Sequence, residues 1–165
     1  MKEILSSMQN KTSKLDPIPT SVIKQSADLL QHILMHIINS SLQQTYFPNE
    51  LKNAIVTPVI KDESKKTDDF KNYRPVSNLT FLSKLLERVM YRQLNQFIEH
   101  HDLHAKQQSS YRLYHSCETA LITVVDDIQK MLNDRKCVAL ILLDSSAAFD
   151  TVDHELLLDR RKIFL

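Results

Sequence analysis

Apolar residues recur every three or four positions in three stretches of the chain, and this spacing predicts amphipathic helices. The stretches cover residues 20–45, 78–101 and 116–133, at about these bounds. Each begins with residues whose side chains commonly cap helices, namely Thr20 or Ser21, Asn78 and Ser116. We expect the apolar stripe of each helix to lie in a core, and we assign these stripes no chemistry.

Two further stretches predict strands. Residues 53–61 (NAIVTPVIK) contain Pro58, which cannot donate to a strand ladder, so this strand should lie at an edge. Residues 137–143 (CVALILL) are continuously apolar, which is typical of a strand buried on both faces. Arg74 precedes a proline and should be extended. A further helix should begin near residue 154, so the fold class is α+β, mostly helical with a few strands.

The composition adds few constraints apart from the absence of glycine. The chain has 165 residues, a formal charge of +1 and no glycine, so a phosphate-binding P-loop is excluded. Positions with positive φ must therefore carry Asn, Asp or another strained residue. Residues 1–15 are polar and predicted to be loose. The chain shows no apolar signal-peptide segment, membrane span or paired-cysteine motif, so an intracellular location (nucleus or cytoplasm, not secreted) and no membrane partner are expected.

Asp144 is the first candidate for chemistry, because it directly follows the apolar run at 137–143. A carboxylate at the carboxyl end of a strand is placed where α/β sheets bind ligands, and it suits Mg²⁺. A helix cap or a surface aspartate explains the same position. Three classes of enzyme place an aspartate in this way. A P-loop enzyme needs glycine, which this chain lacks, and a receiver-type phosphorylation site needs an acidic pair on an earlier strand, which is not evident here. The third class is the two-metal polymerases.

A second carboxylate for such a site is not evident. Asp150 lies six positions after Asp144, a reach of about 20 Å when extended, and a turn would leave Asp150 on another face. Asp150 and Asp153 are more simply explained as structural residues, such as helix caps.

Several segments resemble the reverse transcriptase domain of non-LTR (LINE-type) retrotransposons, in the same order and spacing. They are LDPIPTSVIK, TYFPNELKNAIVTPVIK, KNYRPVSNLTFLSKLLERVMYRQL, QQSSYRLYHSCETALITVVDDI and LILLDSSAAFDTVDHELLL. The resemblance implies a partial right-hand polymerase with an incomplete palm sheet. It divides the chain into a loose segment (1–15), a fingers-like region (16–136) and the start of the palm (137–165).

The resemblance also implies roles for individual residues. Asp144 matches the first catalytic, metal-binding aspartate, and Ser145 would bind a metal through its backbone carbonyl. The other matches concern the incoming nucleotide: Lys61 and Arg74 for its triphosphate, the backbone N–H groups of Ala147 and Ala148, and Phe149 as the aromatic gate against a ribose 2′-OH. Mg²⁺, an RNA template, a DNA primer and deoxynucleoside triphosphates are the implied cofactor and partners.

Each of these residues also has a simpler explanation. Lys61 is equally explained as a solvated lysine at a strand end, Arg74 as a residue bonded to a nearby carbonyl, and Phe149 as part of a core. Basic residues could follow template and primer, although a charged, solvated helix face explains them as well; they are Lys65, Lys66, Lys71, Arg74, Arg88, Arg92, Lys106 and Arg112.

The sequence departs from the family pattern in two respects. The second acidic motif of the family, an aromatic–x–Asp–Asp hairpin, is not found in these 165 residues. Thr45 and Tyr114 replace usual glycines, and Ser145 replaces a usual leucine. We therefore expect a fragment of an RNA-directed DNA polymerase that is inactive alone. A degenerate retroelement remnant that only binds nucleic acid or a partner, or that has no function, is the alternative.

Overall fold

The computed structural model describes residues 1–62, 64, 67–145, 148–149 and 151–163, with side chains to Arg160. Within these residues the helices and strands follow one another along the chain. They are α1 Lys2–Ser7, α2 Thr20–Gln25, α3 Ala27–Gln43, β1 Ala54–Ile60, β2 Tyr73–Leu79, α4 Phe81–His100, α5 Cys117–Asn133 and α6 His154–Ile163. The chain divides into unit 1, Met1–His104, and unit 2, Ala105–Leu165.

The core of unit 1 lies among α1, α3 and α4. Helix α1 packs against both of the other helices. Leu5 of α1, Ile38 of α3 and Leu85 of α4 are each at most 1% exposed, and Phe81 lies in the same cluster. The predicted helices at 20–45 and 78–101 are therefore confirmed in kind, although Ser26 divides the first into α2 and α3.

The amino-terminal segment differs from the prediction of a loose stretch over residues 1–15. Lys2–Ser7 is helical, and Leu5 and Met8 are buried. The sequence signal was weak because one apolar face over six residues is too short to show helical periodicity. The helix is held by tertiary packing, since a helix this short is marginal on its own.

Helix α4 begins two residues later than predicted. Thr80, not Asn78, is its N-cap, and the Thr80 hydroxyl accepts the N–H of Ser83. Asp16 provides a second cap from 65 positions away, because its carboxylate accepts the Phe81 N–H at 2.8 Å. Asn78 lies instead in β2, where its side-chain amide donates to the hydroxyl of Thr57 at 3.0 Å.

The sheet is a single antiparallel hairpin of β1 and β2. Its register places Pro58 opposite Pro75 and Val59 opposite Arg74. In a two-stranded sheet both strands are edges, so the prediction of an edge strand carrying Pro58 is confirmed. The extended conformation predicted for Arg74 is confirmed as well.

Unit 2 forms its helices without burying their apolar stripes. Ser116 caps α5 through a capping box with Thr119, and Asp153 accepts the Leu156 N–H at the start of α6. The predicted cap at Ser116 and the structural role of Asp153 are confirmed. Among the described residues of unit 2, however, no side chain is buried, and Leu121 is 64% exposed. The prediction that the α5 stripe lies in a core is wrong.

The predicted buried strand at 137–143 is also wrong. These residues form no strand in the structure, and Ile141, Leu142 and Leu143 are between 78% and 92% exposed. A strand requires a neighbouring strand for its backbone hydrogen bonds, and the only ladder in the described residues joins β1 to β2.

Three helices end in the same motif, although the chain has no glycine. After α3, the Thr45 N–H donates to the Leu42 carbonyl and the Tyr46 N–H to the Ser41 carbonyl, which is a Schellman ending. The same pair of bonds ends α4 at Asp102 and α5 at Arg135. The residue in the left-handed conformation has φ of 50° at Thr45, 49° at Asp102 and 60° at Arg135.

Positive φ also occurs in the loop before α5, at Tyr111 and Tyr114, each with φ of 61°. The prediction that such positions fall to Asp or to strained residues is confirmed. Thr45 and Tyr114 are the two positions at which the family resemblance expects glycine, and both have the conformation that glycine favours.

No helix in the described part of the chain is long and apolar enough to cross a membrane.

Candidate nucleotide and metal site

Lys61 and Arg74 are brought together by the β1–β2 hairpin. Val59 lies opposite Arg74, and Lys61 is two residues further along, so Lys61 and Arg74 lie diagonally on the same face. The ladder reaches Lys61, because its backbone N–H donates to the Asn72 carbonyl at 2.8 Å. Both side chains are exposed.

The Lys61 ammonium is held by the end of the hairpin. Its Nζ donates to the Lys71 carbonyl at 2.9 Å, and an ammonium carries two further N–H donors that can bind an anion. The guanidinium of Arg74 adds a planar fork on the same face. A compact cation beside a bidentate one suits a chain of phosphate groups.

The same face extends towards α4 through Thr57 and Asn78, which sequence reasoning did not single out. Asn78 is four residues after Arg74 and therefore shares its face. Its amide donates to the Thr57 hydroxyl and to the Ile55 carbonyl of the opposite strand, at 3.0 and 3.3 Å. This cross-strand link fixes the hairpin that carries both cations. No polar alternation along β2 indicates this link, because Val76 lies between Arg74 and Asn78 on the same face.

The palm-like candidates lie in unit 2. Asp144 and Ser145 are exposed and directly follow the apolar segment at 137–143. Ala148 and Phe149 lie in a turn, where the Thr151 hydroxyl donates to the Ala148 carbonyl at 3.2 Å. Phe149 is 78% exposed, so the simpler explanation that it belongs to a core fails. Ala147 and Asp150 lie outside the described residues.

The segment that contains Asp144 offers individual metal-binding groups and no cluster of them among the described residues. Asp144 offers a hard carboxylate and Ser145 a carbonyl, both of which suit Mg²⁺. The described residues contain no group of three or more His, Cys, Asp or Glu side chains that could hold a metal ion. These residues therefore do not fit a two-metal site, and we derive no catalytic step through a metal.

The basic residues named from the sequence occupy different environments. The Arg112 guanidinium donates to the carbonyls of Ala105 and Gln108, so it closes its own loop. Arg88 and Arg92 lie along a groove beside α4. Lys65 and Lys66 lie outside the described residues.

Comparison with known proteins gives a consistent assignment. The family model described as reverse transcriptase (RNA-dependent DNA polymerase) matches residues 62–164. The RNA-directed DNA polymerase from mobile element jockey of Drosophila funebris is 30% identical over 166 residues, covering 100% of this chain and 18% of the relative. The jockey polymerase of Drosophila melanogaster is 31% identical over 150 residues, covering 89% of this chain and 16% of the relative.

A third relative is the probable RNA-directed DNA polymerase from transposon BS of Drosophila melanogaster. It is 29% identical over 129 residues, covering 78% of this chain and 14% of the relative. This chain thus spans less than a fifth of the length of these relatives. No solved structure matches the chain. The matched family model and the jockey relatives show that the chain belongs to the reverse transcriptases of non-LTR retrotransposons.

Proposed function

We propose that this chain is the fingers and the start of the palm of an RNA-directed DNA polymerase. The reaction of such an enzyme joins a deoxynucleotide to a primer 3′-OH under the direction of an RNA template. The observation that carries the proposal is the common face of Lys61 and Arg74 on the hairpin, which presents two exposed cations to a triphosphate.

Within this proposal, each unit has a separate task. In unit 1, Arg74 grips two phosphate oxygens with its fork while Lys61 neutralises a further charge. In unit 2, Asp144 and the Ser145 carbonyl would be the groups that hold Mg²⁺, and the metal would supply charge neutralisation in the family reaction. The family resemblance assigns the backbone N–H groups of Ala147 and Ala148 to nucleotide binding, although Ala147 lies outside the described residues, and it assigns the Phe149 ring to the exclusion of a ribose 2′-OH by volume.

The proposal is tested by the binding of dTTP to the chain in the presence of Mg²⁺, measured by calorimetry. Arg74→Gln and Lys61→Gln should each weaken binding by roughly tenfold or more, because each removes a charge-assisted hydrogen bond. Arg74→Lys should fall between the wild type and Arg74→Gln, because it keeps the charge and loses the fork.

Lys52→Gln is the matched control. Lys52 is exposed in unit 1, its ammonium bonds the Asn49 side chain, and it is not part of the hairpin. Equal affinities for Arg74→Gln and Lys52→Gln would contradict a triphosphate-binding role for the hairpin face.

We further propose that the chain alone does not extend a primer, because Asp144 supplies one carboxylate where a two-metal reaction needs more. A primer-extension assay with Mg²⁺ should show no product. Product formed by the wild-type chain and lost with Asp144→Asn would overturn this part of the proposal.

A further inference from the structure

A groove runs along one side of α4, and none of the residues assigned to the triphosphate lines it. Two adjoining cavities of about 470 and 340 Å³ share Arg88 and Tyr91 and together line α4 from Phe81 to Gln96. At 1.5 Å per residue this is a path of roughly 22 Å. Such a length suits an extended chain better than a single small molecule.

Cations are spaced along this groove. Lys11 lies on one wall, and Lys84, Arg88 and Arg92 follow α4 at intervals of four residues, so they project from neighbouring turns. Within the described part of the chain, neither Lys11 nor Arg88 has a salt-bridge partner. Arg92 is partly neutralised by Glu3, at 3.3 Å. The arrangement therefore favours a ligand with repeated negative charges.

Glu3 and Glu87 are the acidic side chains of the groove. Glu87 lies one turn from both Lys84 and Tyr91, and partial burial raises the pKa of its carboxyl while the Lys84 charge lowers it by less. Four cations against two carboxylates leave the groove with an excess of positive charge.

The groove also offers apolar and aromatic surface. Met8 and Phe81, which are 7% and 3% exposed, belong to the unit 1 core and form its floor. The Tyr91 ring is 60% exposed and lies where the two cavities meet. Exposed aromatic rings between cations are the features on which single-stranded nucleic acids bind, with bases stacked on the ring and phosphates on the cations.

We propose that the α1–α4 groove is a binding track for single-stranded nucleic acid, with Arg88 contacting phosphate and Tyr91 stacking on a base. An acidic peptide would satisfy the cations but would leave the Tyr91 face without a stacking partner. The identification of the bound strand as the template rests on the proposed function, whereas the affinity for a single strand rests on the groove residues.

The test uses the whole chain and a fluorescein-labelled decauridylate RNA, with anisotropy measured between 50 and 200 mM salt. Arg88→Gln should weaken binding and make the slope of log affinity against log salt shallower by about 0.7, the value for one phosphate contact on a single strand. Tyr91→Leu should weaken binding by about tenfold and leave that slope unchanged, because stacking releases no counterions.

Two variants outside the groove serve as matched controls. Lys52→Gln and Tyr46→Leu remove an exposed lysine and an exposed tyrosine of unit 1 that do not line the groove, and both should bind the RNA like the wild type. Circular dichroism of every variant checks that folding is preserved. If Tyr91→Leu is defective in folding, Tyr91→Phe, which keeps the ring, should fold and bind normally.

The result that overturns the proposal is equal RNA affinity of the wild type, Arg88→Gln and Tyr91→Leu. Polyglutamate that competes with the RNA equally well, with no effect of Tyr91→Leu on either ligand, would also overturn it in favour of an acidic protein partner. Unchanged dTTP binding in the hairpin variants, with RNA binding that still depends on Arg88 and Tyr91, would contradict the proposed function and leave the groove assignment standing.

Discussion

Units 1 and 2 each contain a helix of the same length, and the two helices differ in the burial of their apolar residues. Helices α3 and α5 each have 17 residues and an apolar stripe. In unit 1, Ile38 of α3 is 1% exposed, while in unit 2 no residue of α5 is buried. The difference shows that a helix forms in either case, whereas the burial of its stripe depends on partner elements that local sequence does not supply.

Truncation of one leucine in each unit should have very different effects on stability. Leu85→Ala in α4 should lower the free energy of unfolding by about 2–5 kcal/mol, because Leu85 is 0% exposed and its loss leaves a cavity. Leu121→Ala in α5 should change it by less than about 0.5 kcal/mol, as surface changes do. Urea unfolding followed by circular dichroism measures both.

Equal costs for the two variants would contradict the comparison. They would mean that the α5 stripe is covered in solution, and that unit 2 finds a partner surface under the conditions of the measurement. The free energy of unfolding of Leu121→Ala, measured with and without added RNA, then distinguishes coverage of the α5 stripe by a nucleic-acid ligand from coverage by protein association.

Substitutions at the helix ends should change the free energy of unfolding by less than the leucine truncation in α4, and should raise it. Thr45→Gly should raise the free energy of unfolding of unit 1 by roughly 1 kcal/mol, because a β-branched residue is strained at a φ of 50° and glycine is not. Arg135→Gly should raise the helicity of α5 without a comparable gain, since α5 has no buried side chain. Thermal melts and the helical signal measure the two responses.

Thr45→Ala serves as the control at the first position. Alanine keeps the steric cost of the left-handed conformation, so it should gain much less than glycine. A gain for alanine equal to that for glycine would show that the hydroxyl or the branching of Thr45 is unfavourable for another reason.

The smallest expected effect concerns two glutamates whose pKa values move in opposite directions. Burial raises the pKa of Glu87 in unit 1, while hydrogen bonds from the Ser116 hydroxyl and from its own backbone N–H lower the pKa of Glu118 in unit 2. Ionised Glu87 therefore costs stability above its raised pKa, and this cost disappears below the ordinary glutamate value. Ionised Glu118 stabilises its helix above the ordinary value, and this gain is lost as the pH falls through its lowered pKa.

Substitution by glutamine should separate these contributions. Glu87→Gln should raise the melting temperature slightly at pH 7. The difference in melting temperature from the wild type should disappear as the pH falls below the ordinary pKa of glutamate. Glu118→Gln should reduce the helicity of α5 at pH 7 and have no effect in strong acid. The same sign of change for both variants at pH 7 would contradict the assignment of one shift to burial and the other to a helix cap.

Sequence reasoning succeeded where the determining contacts are local. The cap at Ser116 and the need for strained residues at positive φ follow from interactions within a few residues, and the edge strand at Pro58 follows from the missing N–H of proline itself. It failed at the N-cap of α4, because Asn78 is drawn into β2 by Thr57, 21 positions away. Of the candidate site, the face shared by Lys61 and Arg74 was not predicted, since it depends on the register of the hairpin.

The amino-acid sequence was sufficient to predict the three longer helical regions, the cap at Ser116, the absence of glycine at helix ends and the family to which the chain belongs. The burial of apolar residues became visible only in the tertiary structure. It placed Leu5 in a core although its segment looked loose, and it left residues 137–143 exposed although they are continuously apolar. The physical reason is that hydrogen bonds within a helix close over four residues, whereas burial and strand pairing require surfaces from distant parts of a chain.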